Sequence, residues 1–501
     1  MEGPAQVLLH DLLDGITPLD LTGDPAADVR ALVLDSRRVT AGACFACVPG
    51  ARTDGHAYAP QAIADGAVAL LVERPLGLGV SEARVPSVRR VVGPLAARLA
   101  GDPSHALRCL GVTGTNGKTT TTYLLGAIAQ AAGERVGVLG TTGVRVDGAP
   151  LADAGLDFTT PEATELQTLL ARLRADGVQT VALEVSSHAL AQHRVDGTFF
   201  AAACFTNLSH DHLDYHHDVD AYFAAKASLF DPARCAVGVI NLDDARGPEL
   251  VAIAGARGLD VCTYAIHDTH ADFGVEAVTV GSDGSHLTLV DRRAGERVAV
   301  HLRLLGRVNV ANGLAAAATH VAAGGLLTDA AGGLGRVPVV PGRLERVDDG
   351  APFTVLVDYA HTPDALTHAL VAARDLAAPD GRVAVVFGCG GDRDAAKRPE
   401  MGAAAAAADL VIVTNDNPRS EDPQAIADAA AAGVRTAGAA PQIELDRRAA
   451  IDEAVAWARP GDVVLVAGKG HETGQTIAGE TLPFDDRVVA RDAVAARGRN
   501  A

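Results

Sequence analysis

The stretch that most constrains this chain is Gly111-Val112-Thr113-Gly114-Thr115-Asn116-Gly117-Lys118-Thr119-Thr120, fed by the apolar run Ala106 to Leu110 and followed by a helical pattern ended by Gly133. A strand that empties into glycines, with Lys and Thr opening a helix, is the pattern of a phosphate-binding loop. Glycines let backbone N–H groups turn inward on a polyphosphate and the helix N-terminus adds partial positive charge. Lys118 reaches the outer phosphates, and the Thr119 hydroxyl can hold Mg²⁺. The general spelling G-x-x-x-x-G-K-[ST] is broken at one place, where its first glycine falls on Val112. A Gly/Thr turn before an ordinary helix is the plainer reading. Against it stands Val136 to Leu139, a second strand placed where the β-α-β unit of such a loop requires one.

A chain of 501 residues is too long for one ordinary core and points to two to four domains. Hydrophobic residues make up 48% and aromatics only 4%, which suits Ala/Gly-rich helices packed closely on sheets. The net charge of -19 argues against broad binding to nucleic acid or a membrane surface, because no basic field exists to draw in a polyanion. Seven cysteines do not form a disulfide framework, and Cys44 and Cys47 make a C-x-x-C with no second pair at zinc-finger spacing. The segment Met1 to Leu21 has no signal-peptide pattern, and no uncharged run approaches ~18 apolar residues. A cytoplasmic protein without membrane insertion is the expectation.

Three units follow from the rhythm of the chain. Residues 1–105 carry short strands at Ala31 to Leu34, Cys44 to Val48 and Ala67 to Val72, with a helix from Ala59 to Ala64. Two polar clusters follow strands, Asp35-Ser36-Arg37-Arg38 and Gly50-Ala51-Arg52-Thr53-Asp54-Gly55-His56, and each alone reads as a solvated turn. Pro94 to Ser104 reads as a helix that closes the unit at Gly101-Asp102-Pro103-Ser104. Residues 106–341 hold the phosphate loop, the loop Asp157 to Glu162, a helix Glu162 to Ala175 and a buried strand Val178 to Val185 that delivers Glu184-Val185-Ser186-Ser187-His188 to its carboxyl end. Four histidines and two aspartates fall between His210 and His217, suggesting metal or phosphate chemistry, though a hydrated loop has the same spacing. On the next helix, Val219 to Phe230, Lys226 would ordinarily snorkel. Ala271 to Leu305 switches to alternation with two Gly turns, which predicts antiparallel hairpins, and a helix beginning at Arg307 carries Asn309 and Asn312.

Residues 342–501 repeat strand then helix, with strands at Thr354 to Val357, Val383 to Phe387, Leu410 to Thr414 and Val463 to Ala467, which predicts a doubly wound, Rossmann-like sheet. The strands empty into Asp358 to Asp364, Gly388 to Asp394, Asn415 to Asp422 and Gly468-Lys469-Gly470-His471-Glu472, four polar loops expected to converge on one rim.

Taken together, these motifs resemble the Mur ligases, the ATP-dependent amide-forming enzymes of peptidoglycan precursor synthesis. The resemblance spans nearly the whole chain and rests on Thr113 to Thr120, Thr159-Thr160-Pro161, Glu184 to His188, Gln192-His193-Arg194, Asn207 to His216, Asp358 to Asp364 and the later C-terminal loops. It implies an N-terminal UDP-binding domain, a central P-loop ATPase domain with added antiparallel strands, and a C-terminal amino-acid-binding domain. It also implies that Gly114, Thr115, Asn116, Gly117, Lys118, Thr119 and Thr120 hold ATP phosphates, with Asn309 and Asn312 near adenine and Arg343 and Asp358 near the phosphates and ribose. Thr119 and Glu184 would serve one Mg²⁺, and His212 with a carbamylated Lys226 a second. Ser36, Asp54, Gly55 and His56 resemble the uridine-diphosphate contacts. Thr159, Thr160, Ser186, Gln192 and Arg194 resemble contacts to a muramoyl-dipeptide, and His361 is a candidate for assisting the second chemical step.

The loop Asp416-Asn417-Pro418-Arg419 has the form associated with meso-diaminopimelate, with Arg393, Gly468 and Glu472 as further contacts. A guanidinium binds a carboxylate bidentately, whereas lysine as substrate would set an ammonium against Arg419. The resemblance therefore implies transfer of meso-diaminopimelate to the D-glutamate γ-carboxylate of UDP-N-acetylmuramoyl-L-alanyl-D-glutamate. Thr473-Gly474, in place of a common Asp-Tyr, and Ser87, in place of a common Asp, depart from the family pattern. The rival readings are a lysine-adding relative, a folylpolyglutamate synthetase-like ligase, and a P-loop NTPase that drives a partner without forming an amide.

Overall fold

A computed structural model of the chain describes residues 7–50, 53–154 and 158–500. Met1 to Gln6, Ala51 and Arg52 of the second polar cluster, and Asp157 lie outside the described residues.

Among the described residues, three large sheets organise the chain. The first has five strands in the order Asp20–Thr22, Ser81–Arg84, Ala67–Val72, Ala43–Ala46, Ala31–Val33, parallel except for Asp20–Thr22 at its edge. Its two faces are apolar for different reasons. Val88, Val92 and Leu95 of the helix Val88–Leu99 close one side, and Ala59 and Ala62 of the short helix Ala59–Ala64 close the other.

The Pro94 expectation is corrected here. The helix begins at Val88 and runs through Pro94, instead of starting there. Pro lacks an N–H and marks a helix start by local rules, but tertiary packing overrides them. A Cβ on Gly93 would lie 2.2 Å from the Asp196 carbonyl, so this helix presses backbone-to-backbone on the central unit.

The central sheet has eleven strands. Its middle is parallel, running Val136–Gly140, Thr180–Glu184, Arg108–Thr113, Ala202–Phe205, Val237–Asn241, Asp260–Tyr264. These strands are buried on both faces, as continuous apolar runs require. Helices Lys118–Ala131 and Val308–Ala322 cover one face, while Ala163–Ala175 and Val219–Ala227 cover the other. The predicted hairpins are present as Phe273–Gly281, Gly284–Asp291 and Glu296–Leu302, antiparallel to one another and joined to one end of the sheet by the parallel pair Tyr264 and Phe273.

The third sheet runs Glu345–Arg346, Thr354–Asp358, Val463–Ala467, Val383–Phe387, Leu410–Val413, Pro441–Ile443, parallel apart from its first pair. The last long strand in sequence, Val463–Ala467, inserts between Thr354–Asp358 and Val383–Phe387. That crossover makes the loops after Asp358, Phe387 and Ala467 neighbours at the carboxyl edge, where open α/β sheets place ligands. Among the described residues, no helix is long and apolar enough to cross a membrane.

Candidate functional site

The phosphate loop is built as its letters require. Gly114 and Gly117 sit at φ +152° and +86°, and a Cβ at either would lie within 2.4 Å of Thr206 Oγ1 or Asn312 Oδ1 respectively. Both positions therefore need glycine, and both leave backbone facing an open cradle. The helix Lys118–Ala131 starts directly after Gly117. Lys118 Nζ donates to the carbonyls of Gly114 and Thr115, both at 2.8 Å. Burial lowers its pKa, with Arg343 acting in the same direction and the carboxylates of Glu184 and Asp211 opposing. Asn116 Nδ2 donates to Asp364 of the C-terminal unit at 2.9 Å, and Arg343 Nη2 donates to Thr119 Oγ1 at 3.0 Å, so two contacts join the C-terminal sheet's end of the chain to the loop. Arg343 Nε is buried and has no partner, an orphaned donor beside the cradle.

Asn309, Asn312, Arg343, Asp358 and His361 line a cavity of about 80 Å³ together with Asn116, Gly117 and Thr120. Asn312 Nδ2 donates to Asn309 Oδ1 at 2.9 Å, tying the pair to one orientation. Asp358 is less free than its expected role suggests, since its carboxylate accepts the N–H groups of Leu344 (2.7 Å) and Ala360 (2.8 Å). Burial raises its pKa against those bonds. His361 Nδ1 donates to the Tyr359 carbonyl at 2.8 Å, which leaves Nε2 as an acceptor.

Beyond the loop lies a set of oxygen and nitrogen donors that runs from buried Glu184 and Lys226 to His212, whose side chain is 41% exposed. Glu184, 1% exposed, accepts from the N–H (2.9 Å) and hydroxyl (3.0 Å) of Thr141. His212, in the left-handed region at φ +56°, lies beside Asp211 (3.3 Å) and edge-on to His188. Partial burial pushes the His212 pKa down against the pull of Asp211, which favours the neutral imidazole that binds metals. Lys226 does not snorkel as a lysine on an ordinary surface helix would. Its side chain is 1% exposed, with Nζ 4.4 Å above the Tyr222 ring, and burial beside Lys118 pushes its pKa well down.

The muramoyl-dipeptide candidates form one connected network. Thr160 Oγ1 donates to Glu184 O (2.8 Å) and accepts the Ser186 N–H (3.0 Å). Arg194 donates to Thr160 O (3.2 Å) and Gln192 Oε1 (2.6 Å) and covers the Phe158 ring at 4.1 Å, while Thr159 meets Thr141 hydroxyl to hydroxyl at 3.3 Å. Ser36 opens a turn whose neighbours Asp35, Arg37 and Arg38 line a cavity of about 630 Å³ between the first two units, with Phe158, Glu162 and Arg172 opposite. The turn Asp54-Gly55-His56 is not among its walls. His56 is buried, with Nδ1 donating to Asp54 (2.7 Å) and Nε2 accepting the Glu73 N–H (3.0 Å), so both ring nitrogens are spent inside the domain.

The C-terminal candidates meet at one rim. Arg419, at φ +54°, donates to the Gly391 carbonyl at 2.6 Å. A Cβ on Gly390 would touch Arg419 Nη1 (3.1 Å) and Arg393 Cγ (3.7 Å), so both guanidinium side chains flank the same glycine. Gly468, at φ +116°, faces Asp416. Asn417 Nδ2 donates to Glu472 at 2.9 Å, and Pro418 closes the loop against Gly391. Glu472 is pushed up by burial but more strongly down by Lys469 and Asn417, so it is held as a carboxylate.

Three residues escaped the sequence reading. Lys469, fully buried, donates to Asn417 (3.1 Å) and Glu472 (3.0 Å). Arg447, buried with its partner Asp486, also donates to Asn415 O (3.1 Å) and Ala467 O (2.9 Å), bracing the two loops that carry Asp416 and Gly468. Lys397 lies 3.6 Å from Asp211 across the two units. Lys469 lies within the loop Gly468 to Glu472, directly after the apolar strand Val463–Ala467, and that position was the available signal. The other two sit on helices with no local mark.

Family models match three consecutive stretches: "Mur ligase family, catalytic domain" over 28–98, "Mur ligase middle domain" over 112–320 and "Mur ligase, glutamate ligase domain" over 342–470. The chain is 45% identical to the UDP-N-acetylmuramoyl-L-alanyl-D-glutamate–2,6-diaminopimelate ligase of Streptomyces coelicolor, covering 94% of this chain and 93% of that one. It is 43% identical to the enzyme of the same name from Corynebacterium glutamicum, covering 98% of each. A solved structure of a ligase of that name superposes with a TM-score of 0.71 at 35% identity, over 99% of this chain and all of that one. Mycobacterium tuberculosis folylpolyglutamate synthase complexed with ADP and AMPPCP shares the fold at TM-score 0.62 and 22% identity, over 81% of this chain and 93% of that one.

Proposed function

The chain belongs to the Mur ligase family, and on that premise we propose that it joins meso-2,6-diaminopimelate to the D-glutamate γ-carboxylate of UDP-N-acetylmuramoyl-L-alanyl-D-glutamate at the expense of ATP. The observation that carries the choice of amine is the pairing of opposite charges on one rim, with Arg419 and Arg393 at Gly390 and the Glu472 carboxylate held by Asn417 and Lys469. The distal end of diaminopimelate has both a carboxylate and an ammonium, so it can meet both. Lysine offers only the ammonium and leaves the guanidinium unpaired.

The reaction runs in two steps. The γ-carboxylate oxygen attacks the ATP γ-phosphorus, the bond to the β–γ bridging oxygen breaks, and an acyl phosphate and ADP result. The neutral amine of diaminopimelate then attacks the acyl carbon. The tetrahedral intermediate collapses to the amide as phosphate leaves, and the amine proton passes to a base. His361 Nε2 is a candidate for that base, because its Nδ1 is already donating and burial holds the ring neutral. Lys118 and the loop N–H groups bind the phosphates and offset the charge of two anions meeting, so catalysis here is positioning plus electrostatics.

The donor sets suit two Mg²⁺ ions: Thr119 hydroxyl and Glu184 carboxylate would hold one beside the phosphate oxygens, and His212 with a carbamylated Lys226 the second. Mg²⁺ bound there would neutralise phosphate charge. Lys226 supports a carbamate reading, since a buried amine with lowered pKa is an unprotonated nucleophile. Its nitrogen adds to the carbon of CO₂ and loses one proton, turning a buried neutral amine into a carboxylate-like ligand. A cytoplasmic setting agrees with seven free cysteines, all buried.

The test is phosphate release measured with each substrate withheld in turn. Release that requires both the UDP-muramoyl-dipeptide and diaminopimelate is expected. Release without an amine, or with lysine preferred, would overturn the proposal in favour of an uncoupled NTPase or a lysine-adding ligase.

A further inference from the structure

A second cluster lies far along the central sheet from the phosphate loop, at the free end of its antiparallel addition. Strands Gly284–Asp291 and Glu296–Leu302 pair so that His286 and His301 are direct cross-strand partners, with rings stacked 4.1 Å apart at 7°. The register places the two imidazoles side by side whatever the surrounding residues do. The turn Ser282-Asp283 then folds back over them. Gly284, at φ +119°, makes that return possible, since a Cβ there would lie 2.2 Å from the Leu302 carbonyl. As a result, Asp283 Oδ2 lies 3.6 Å from Nε2 of His286 and 3.6 Å from Nε2 of His301. Among the described residues, this is the one group of three His, Cys, Asp or Glu side chains whose ligand atoms all lie within 4.8 Å of one another.

Zinc bonds to imidazole and carboxylate at about 2.0–2.2 Å, so the ligand atoms of a tetrahedral site stand roughly 3.3 Å apart. The two 3.6 Å separations already approach that edge length, but rings stacked at 7° hold their lone pairs in near-parallel planes, so binding requires the imidazoles to unstack and turn toward Asp283. Two imidazoles and one carboxylate select zinc-like ions over Mg²⁺, which prefers oxygen and retains its water. We propose that Asp283, His286 and His301 form a binding site for a zinc-class divalent cation, separate from the nucleotide site, with one coordination position left for water or an anion. Binding exchanges the 3.1 Å hydrogen bond from His301 Nε2 to the Asp283 carbonyl for a bond to the ion. Asp283 and His301 also line a cavity of about 510 Å³ with Arg303 and Arg346, so an anion reaching the fourth position would meet two guanidinium groups.

The test titrates the full-length chain with ZnCl₂ in Mg²⁺ buffer by calorimetry, and with CoCl₂ by visible absorption. The wild type is expected to bind one equivalent that His286→Gln and His301→Gln both lose, with the intense visible bands of tetrahedral Co²⁺ disappearing alongside it. The melting curves of the metal-free proteins should coincide, because both rings are substantially exposed. Equal stoichiometry in wild type and variants would place the ion elsewhere and overturn the proposal, as would no binding by the wild type at micromolar Zn²⁺. Should a glutamine variant fail to fold, Asp283→Asn in the exposed turn is expected to weaken the same equivalent by about ten-fold or more, and unchanged affinity would overturn it.

Discussion

The phosphate loop and the rim proposed to take the amino acid both lie at the carboxyl ends of parallel strands, but they are constructed differently. The loop is made by consecutive residues, and its shape follows from two glycines whose missing Cβ atoms admit Thr206 and Asn312. The rim is made by loops far apart in sequence, and its shape follows from buried charges beneath it. Lys469 fixes Asn417 and Glu472, and the Arg447–Asp486 pair fixes the carbonyls of Asn415 and Ala467. A backbone-made site is set by local letters, whereas a side-chain-made site depends on a foundation that those letters do not contain.

The sharpest way to break this comparison is at the foundation. Arg447→Met leaves Asp486 buried and unpaired, and should cost about 3–5 kcal/mol of stability in urea melts. Adding Asp486→Leu should restore much of that stability while the KM for diaminopimelate stays raised, since Asn415 O and Ala467 O have lost their donor. Recovery of both would show that the pair is structural only. At the loop, Lys118→Ala should lower kcat by about 100- to 1,000-fold with the melting temperature little changed, and a large loss of stability would contradict a backbone-made site.

Arg419→Lys separates the two sites at smaller amplitude. A charged hydrogen bond is worth about 1.5–3 kcal/mol, so the KM for diaminopimelate should rise about 10- to 100-fold while that for ATP stays put. Equal changes would count against a rim role. The smallest is a pH effect that involves two further rings. Burial lowers the pKa of His216 and His471 to about 4, against about 6.5 for an imidazole in the unfolded chain. In that window the unfolded chain binds protons that the folded chain does not, so stability is full above about pH 6.5 and declines as pH falls toward 4. Thermal melts between pH 7 and pH 4.5 should show a falling midpoint, and a flat profile would contradict the buried neutral rings.

Much of the architecture was legible because its signals are local. Apolar runs marked Ala67–Val72, Val383–Phe387 and Val463–Ala467, and the alternation after Ala271 marked the hairpins. Where the reading failed, a distant residue had decided the outcome. Pro94 lies inside a helix because Gly93 packs on Asp196. His56 had the right neighbours for a ligand contact, but the Glu73 N–H, seventeen positions away, occupies its second nitrogen. Arg447 could not be found from its own helix, because its meaning lies in Asp486 and two carbonyls on other elements.

The sealed cysteines have a practical consequence. All seven are buried, and burial raises their thiol pKa to between about 11 and about 12, so almost no thiolate exists at neutral pH to meet an alkylating dye. The native chain is thus chemically silent toward maleimides. One cysteine introduced on the surface of the first sheet unit and one on the third would be the reactive pair, giving a fluorescence ruler for domain movement during turnover without first stripping the protein of its own thiols.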